Sequence, residues 1–326
     1  MRVVSAAGID RALAFPALIE ALAEAFRGDV AAPVRHHHEI ARDGAPGTLL
    51  LMPAWTGAGE SGAGSESGFL GVKVVTVYPD NAQKSLPSVF GTYLLLDGAT
   101  GEPLAAMDGT RLTLWRTAAA SALAARHLAR PDAARMVMVG AGALAPFLIR
   151  AHAGERPIRD VKLWNHRPGR AAALAAELRA EGLPVEATDD LEAAVRDADI
   201  VSCATLSTVP LVRGAWLKPG AHLDLVGAFN LAMREADDEA LRRASVFVDT
   251  PAALTEGGDV ALGLKGGVTG AADVKGDLFA LCRGQAPGRT REDEITLYKS
   301  VGTAIADLAG AMAVWSRLNP GAILEP

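Results

Sequence analysis

Hydrophobic and polar positions follow two different rhythms along the chain. From residue 135 onward short apolar runs alternate with alanine-rich amphipathic ones: "RMVMVG", "LAPFLIRAHAG", "VKLWN", "GRAAALAAELRAEG", "LEAAVRDA", "DIVSCAT", "GAHLDLVG", "DDEALRRA" and "SVFVDT". Strand and helix in this alternation predict a parallel sheet covered on both faces, a doubly wound α/β domain of the Rossmann type. Upstream, "GTLLLMPAW", "GFLGVKVVTVYPD" and "VFGTYLLLDGATGEPLAAMDG" are strand-like runs separated by Gly, Pro, Asn and Asp. They predict an antiparallel meander and hence a second, α+β domain. The stretch "TRLTLWRTAAASALAARHLA" predicts a helix that carries the chain from one domain into the other. The tail "ITLYKSVGTAIADLAGAMAVWSRL" predicts helix again, returning to the first domain. The expected division is 1–118 with 303–326, and 119–302. The first 26 residues place Asp and Glu at helical spacing without a long apolar run, which predicts an amphipathic helix and neither a signal peptide nor a membrane span. The insert "TGAGESGAGSESG", residues 56–68, is expected to be a mobile hairpin loop without chemistry.

Composition narrows the possible functions. A chain of 326 residues that is 50% hydrophobic and 21% charged has material for two real cores. Its formal charge of −6 argues against a nucleic-acid partner, which would call for a basic excess, and points to small-molecule chemistry. Cys203 and Cys282 are the only cysteines and lack metal-ligand spacing, so no disulfide framework or zinc site is expected, in keeping with a reducing cytoplasm. His36, His37 and His38 are adjacent, and on a strand neighbours point to opposite faces, so they are not expected to share a metal ion.

The strongest motif is "VMVGAGALA". Gly140, Gly142 and Ala145 follow an apolar strand, open a helix and lie in a βαβ unit, the context a dinucleotide fingerprint requires. The reading is a tight turn at Gly140, close approach of a pyrophosphate to the backbone of Gly142 and Ala143, and an anion at the helix N-terminus. Pro146 falls in the first helical turn, where its missing N–H costs nothing. At the tip of the next strand, where an acid would accept hydrogen bonds from the ribose hydroxyls, the sequence reads "WNHRPGR". Asn165, His166, Arg167 and Arg170 suit a 2′-phosphate instead, so the expected cofactor is NADPH, with NADH weaker. The alternative is a merely solvated basic turn.

Several stretches together resemble the ornithine cyclodeaminase/mu-crystallin family: "GVKVVTVYPDN", "LLLDGATGEPLAAMDG", "TLWRTAAASALAARHLA", "VGAGALA", "WNHRPG", "KPGAHLDLVGA", "RRASVFVDT" and "YKSVGTAIAD". The resemblance spans about residues 35 to 310. It implies a Rossmann domain for the nucleotide, a second domain for substrate and dimerisation, a cleft between them, and small amino or imino acids as substrates. It further implies that Arg35, Lys73 and Arg116 hold the substrate carboxylate. Local physics agrees for two of them. Lys73 lies mid-strand in "FLGVKVVTV", apolar on both faces, where an ammonium without a partner is costly. Arg116 shares a helix face with Leu112 and Ala120. For each, the alternative is an internal ion pair with one of the 38 acidic residues.

One departure bears on the chemistry. Where the cyclodeaminases carry an Asp that handles the substrate amine, this chain reads "VGAFNLAMRE", with Phe229 in that place. A phenyl ring accepts no proton. The "WNHRPG" stretch resembles that of mu-crystallin, an NADPH-dependent ketimine reductase. The expected function is therefore NADPH-dependent reduction of a cyclic ketimine carboxylate by a cytoplasmic homodimer. Lys73, or a water it holds, supplies the proton, Thr205 and Ser300 contact the nicotinamide or its ribose, and Val226 is a further cofactor-binding position. Competing expectations are a cyclodeaminase or alanine-type dehydrogenase, and a cofactor-binding protein without turnover.

Overall fold

The computed structural model describes residues 1–57 and 68–319, so the glycine- and serine-rich insert, apart from its edges, and residues 320–326 lie outside the described residues. The chain divides into two compact units, one of residues 1–117 with 303–326 and one of residues 118–302.

In the first unit β1 (Arg2–Val4) leads to α1 (Ala6–Ala12) and α2 (Phe15–Arg27), and then to β2 (Val30–Ala31), β3 (His36–Ile40), β4 (Gly47–Thr56), β5 (Phe69–Val77), β6 (Val89–Asp97) and β7 (Pro103–Asp108). The single N-terminal helix expected from the charge spacing is thus a strand followed by two helices. Ser5 caps the first by accepting from the Gly8 N–H at 3.3 Å. Pro16, which has no N–H to give the preceding turn, starts the second anew. The strands form one sheet in the order β1-β7-β6-β5-β4-β2, with β3 also on β4. Its central β4 to β7 are an antiparallel meander, and only β1 runs parallel to its neighbour.

Period-two alternation sorts the residues of this sheet. Met52, Lys73, Tyr93 and Met107 face one another across four strands in a single buried row. That face is covered by the C-terminal helix Ala304–Leu318, against which α2 packs, burying Phe15, Leu18, Ile19, Leu22, Ala23 and Phe26 at helical spacing. The opposite face is also apolar, with the cross-strand pairs Trp55–Leu70, Pro53–Val72 and Val72–Leu94, but it is only partly covered.

From β7 the chain enters α3 (Gly109–Leu128), capped where Asp108 accepts from the Arg111 N–H at 2.7 Å, and passes along it into the second unit. There follow β8 (Arg135–Val139), α4 (Ala145–Glu155), β9 (Asp160–Trp164), α5 (Pro168–Ala180), β10 (Val185–Ala187), α6 (Leu191–Asp197), β11 (Ile200–Cys203), β12 (His222–Leu225), α7 (Asp238–Arg243), β13 (Ser245–Val248), α8 (Ala253–Glu256), α9 (Gly258–Lys265), β14 (Gly276–Asp277), α10 (Leu278–Cys282) and β15 (Thr296–Lys299). The eight strands are all parallel, in the order β10-β9-β8-β11-β12-β15-β13-β14. Strand order reverses direction at β8, which places the switch point of a doubly wound sheet between β8 and β11.

The helical expectation for the tail fails over its first residues. Thr296–Lys299 is a strand in the middle of the sheet, and helix α11 begins only at Ala304. All four strand residues are buried, and Thr296 and Lys299 find partners inside. The Thr296 hydroxyl donates to the Leu128 carbonyl at 2.8 Å, and Lys299 meets Asp259 at 3.0 Å. A strand that takes hydrogen bonds on both sides and pairs a threonine and a lysine internally need not show an apolar run.

Candidate active site

Within the first unit one cluster stands out. Lys73 on β5 is 2% exposed and its Nζ lies 2.7 Å from Oδ2 of Asp307 on α11. Arg116 on α3, 5% exposed, gives its Nε to Oδ1 of the same carboxylate at 2.8 Å. The alternative of an internal ion pair is what is seen for both: Asp307 is a partner to Lys73 and to Arg116. It does not balance them, since two cations meet one carboxylate and leave one positive charge in excess. Arg116 is held through Nε, which leaves the Nη pair, the fork that grips carboxylates bidentately. Burial lowers the Lys73 pKa from 10.5 to about 8; Asp307 opposes the shift, while Arg116 and Arg35 reinforce it. Asp307 is itself held below the usual carboxylate range, because the charges of Arg116 and Lys73 outweigh its burial. Arg35, half-buried just before β3, joins the cluster through its electrostatic effect on Lys73.

The positions of these groups follow from the local sequence. Gly310 lets α11 approach α3, since a Cβ there would lie 3.0 Å from Leu112 Cδ1, and this brings Asp307, one turn earlier, against Arg116. Sequence reasoning missed Asp307. Its signal was the lone acid in the apolar run "AIADLAGAMAV".

In the second unit the glycine turn sits at the switch point. Gly140 has φ +110°, a conformation that favours glycine, and a Cβ there would lie 2.6 Å from the Ala204 carbonyl oxygen that follows β11. A Cβ on Gly142 would meet nothing within 4 Å, so the backbone of Gly142 and exposed Ala143 opens onto free space at the N-terminus of α4. In the first turn of α4 the Ala145 and Phe147 N–H groups are taken by the Gly142 and Leu144 carbonyls and Pro146 has none, so a pyrophosphate would rest on the glycine turn itself, at the helix N-terminus. Beyond β9, His166, Arg167 and Arg170 are exposed. Asn165 is nearly buried and gives its amide to the Arg167 carbonyl at 3.2 Å, so it shapes the basic turn.

Three other expected contacts sit at the same ends of the strands. Thr205 follows β11, with its hydroxyl donated to Glu235 at 2.8 Å. Val226, 8% exposed, follows β12. Ser300 follows β15, and its hydroxyl donates to Asp249 at 3.0 Å. The hydroxyls of Thr205 and Ser300 are thus engaged internally, and a cofactor contact from them would use other atoms or shared bonds. Phe229, 48% exposed, stands on the loop beyond β12. The expected strand character of His36 to His38 is seen in β3, where rings 36 and 38 share a face at 6.3 Å. Among the described residues, no three His, Cys, Asp or Glu are placed to hold a metal ion. Nor is any described helix long and apolar enough to cross a membrane.

A parallel sheet with a glycine turn at its switch point, on a chain that also carries an α+β unit with buried excess cations, defines a protein of the Rossmann-type dinucleotide-fold class. Within that class the match is specific: the profile of the ornithine cyclodeaminase/mu-crystallin family aligns with residues 2–321, and the chain belongs to that family. It is 43% identical over 290 residues to Protein SAR DEFICIENT 4 of Arabidopsis thaliana, covering 87% of this chain and 86% of that protein. To the Δ(1)-pyrroline-2-carboxylate reductase of Colwellia psychrerythraea it is 34% identical over 324 residues, 98% of this chain and 99% of the other. The structure of Thermococcus litoralis Δ(1)-pyrroline-2-carboxylate reductase in complex with NADH and L-proline matches with a TM-score of 0.90 at 33% identity, covering 98% of each chain.

Proposed function

We propose that the protein reduces a small cyclic ketimine carboxylate, Δ1-pyrroline-2-carboxylate or Δ1-piperideine-2-carboxylate, to the L-amino acid with NADPH. The observation that carries this reading is the Lys73–Asp307–Arg116 cluster, two buried cations sharing one carboxylate. A substrate carboxylate supplies the missing negative charge. Arg116 presents its Nη fork to that carboxylate, and Arg35 adds a third cation beside Lys73. Asp307 fixes both Lys73 and Arg116 so that little side-chain freedom is lost when the anion arrives. Lys73, with a pKa of about 8, is charged near neutral pH yet able to release a proton to the substrate nitrogen. When bound, the nicotinamide supplies a hydride for the C=N carbon. Gly142 and Ala143 accommodate the pyrophosphate, and Arg167 with Arg170 clamps the 2′-phosphate that distinguishes NADPH from NADH. Phe229 offers no base for a second amine, which favours reduction over cyclodeamination. The relatives' names, pyrroline-2-carboxylate reductases among them, support the same substrate class.

Two copies pairing through the partly covered apolar face of the first unit's sheet would shield Trp55, Leu70 and their neighbours, which supports a homodimer. Both cysteines are free, in keeping with a reducing cytoplasm. The test is NADPH oxidation followed at 340 nm with cyclic imines that carry or lack the carboxylate. Turnover confined to the carboxylated imines is expected. Tight NADPH binding without oxidation by any of them would overturn the reading.

A further inference from the structure

Glu235 is fully buried, and its carboxylate takes four donors. Oε1 accepts the Thr205 N–H at 2.6 Å and the Thr205 hydroxyl at 2.8 Å. Oε2 accepts the N–H groups of Gly227 at 2.7 Å and Ala228 at 3.2 Å. Thr205 lies just past β11, and Gly227 and Ala228 lie just past β12, so one side chain joins the loops at the C-terminal ends of two adjacent strands. The seam is tight, since a Cβ on Gly227 would fall 2.1 Å from the Thr205 carbonyl oxygen and 2.3 Å from its nitrogen. Glu235 is itself held: Asp259 Oδ1 accepts the N–H groups of Glu235 at 2.7 Å and Ala236 at 3.0 Å, and Asp259 Oδ2 pairs with Lys299 at the end of β15 at 3.0 Å. The chain Thr205–Glu235–Asp259–Lys299 thus ties together the ends of three parallel strands.

A buried carboxylate is a costly way to close a seam, and well-packed apolar residues serve stability as well or better. What the carboxylate does, and an apolar side chain cannot, is fix three backbone amides of loops that have left the sheet ladder. In an open parallel sheet a dinucleotide lies across the carboxyl ends of the strands at the switch point. With the adenosine end toward β9, the other half lies over β11 and β12, on the two loops that Glu235 joins. Those loops present Leu206, 71% exposed, and Phe229, 48% exposed, apolar surface of the kind a nicotinamide ring or a hydrocarbon imine ring packs against.

We propose that Glu235 is a positioning residue for the nicotinamide half of the cofactor, acting by locking the Thr205 and Gly227–Ala228 backbones together. This rests on the reading of the second unit as the dinucleotide site. The test titrates wild type, Glu235→Gln and Glu235→Asp with NADPH and with adenosine 2′,5′-bisphosphate, which carries only the adenosine half, and measures kcat alongside. Glu235→Gln keeps the shape but sets an amide NH2 against a backbone N–H at one loop. Glu235→Asp keeps the charge and is one methylene short of spanning both. In each variant NADPH should bind on the order of tenfold more weakly, since loops no longer fixed in advance must be ordered when the cofactor binds. Adenosine 2′,5′-bisphosphate binding should be unchanged, which also reports an intact fold, and kcat should fall further than cofactor affinity. NADPH binding and kcat at wild-type values in both variants, or equal loss of both ligands, failure to fold included, overturns the proposal. If wild type binds neither ligand, the dinucleotide reading falls first and the proposal with it, a result seen without any variant.

Discussion

Replacing Lys73 with Met tests whether the buried charge is there for a ligand or for the fold. Lys73 is 2% exposed and its pKa falls from 10.5 in the unfolded chain to about 8 in the folded one, chiefly through burial. That difference corresponds to a cost on the order of 3 kcal/mol for keeping the amine charged inside the folded protein at pH 7. Between about 8 and 10.5 the unfolded chain binds a proton that the folded chain has released, so stability rises with pH across that window, and below it the full cost is present. Lys73→Met keeps the length of the stem, removes the charge and leaves Asp307 its bond to Arg116. We expect the variant at pH 7 to be as stable as wild type or more stable, by up to about 3 kcal/mol, with the gap closing as pH approaches 10. Urea unfolding at pH 7 and pH 10 measures this. Turnover of the carboxylated imine should fall at least about a hundredfold, the loss of a charge-assisted contact to the anion. A variant less stable than wild type at pH 7 by more than about 1 kcal/mol would mean that the Lys73–Asp307 pair is a structural tie. The argument for a carboxylate-binding site would then fail.

Arg116→Ala should lower kcat/KM for a carboxylated imine by about 2 to 4 kcal/mol of transition-state stabilisation while changing little for an imine lacking the carboxylate; equal loss on both substrates would contradict a carboxylate contact. Arg167→Ala should raise KM for NADPH and leave NADH nearly unchanged, against a wild-type preference for NADPH of at least about tenfold in kcat/KM, and equal wild-type efficiency with both cofactors would remove the phosphate clamp. With Phe229 beyond β12, no ammonia should be released from L-ornithine with catalytic NAD, and release at a rate comparable to imine reduction would show that a base has been overlooked. Phe229→Asp alone should not install that activity, because Asn230 to Met233 differ from the cyclodeaminase pattern as well.

Much of this architecture is legible because its signals are local. "RMVMVG" followed by "AGALAPFLI" is a strand, a turn that needs glycine and a helix start, and each part is stated by neighbouring residues. Lys73 and Arg116 were likewise conspicuous as charges in apolar surroundings. What failed was non-local. Thr296–Lys299 carries Thr, Tyr and Lys, and its place in the sheet is secured by Leu128, His222 and Asp259, 40 to 168 residues away. No window of sequence displays those partners. Asp307 was missed for a related reason: the need of two buried cations for an anion was read as the signature of a ligand, while the chain supplied one anion from 191 residues beyond Arg116. Glu235, Asp249 and Asp259 pass as ordinary polar residues until folding sets them among backbone amides they accept from.

The position of β15 carries a consequence for how the protein is made. β13 reaches the rest of its sheet only through β15, which lies between it and β12. A growing polypeptide therefore holds β8 to β12 on one side and β13 with β14 on the other, and no strand pairs across the gap until residues 296–299 have emerged. The next helix to emerge, α11, is the one that brings Asp307 to Lys73 and Arg116. One short run of the chain thus completes both units, and a nascent chain interrupted before it exposes an open sheet edge in one unit and an uncovered apolar face in the other. These are surfaces on which chaperones act and aggregation begins.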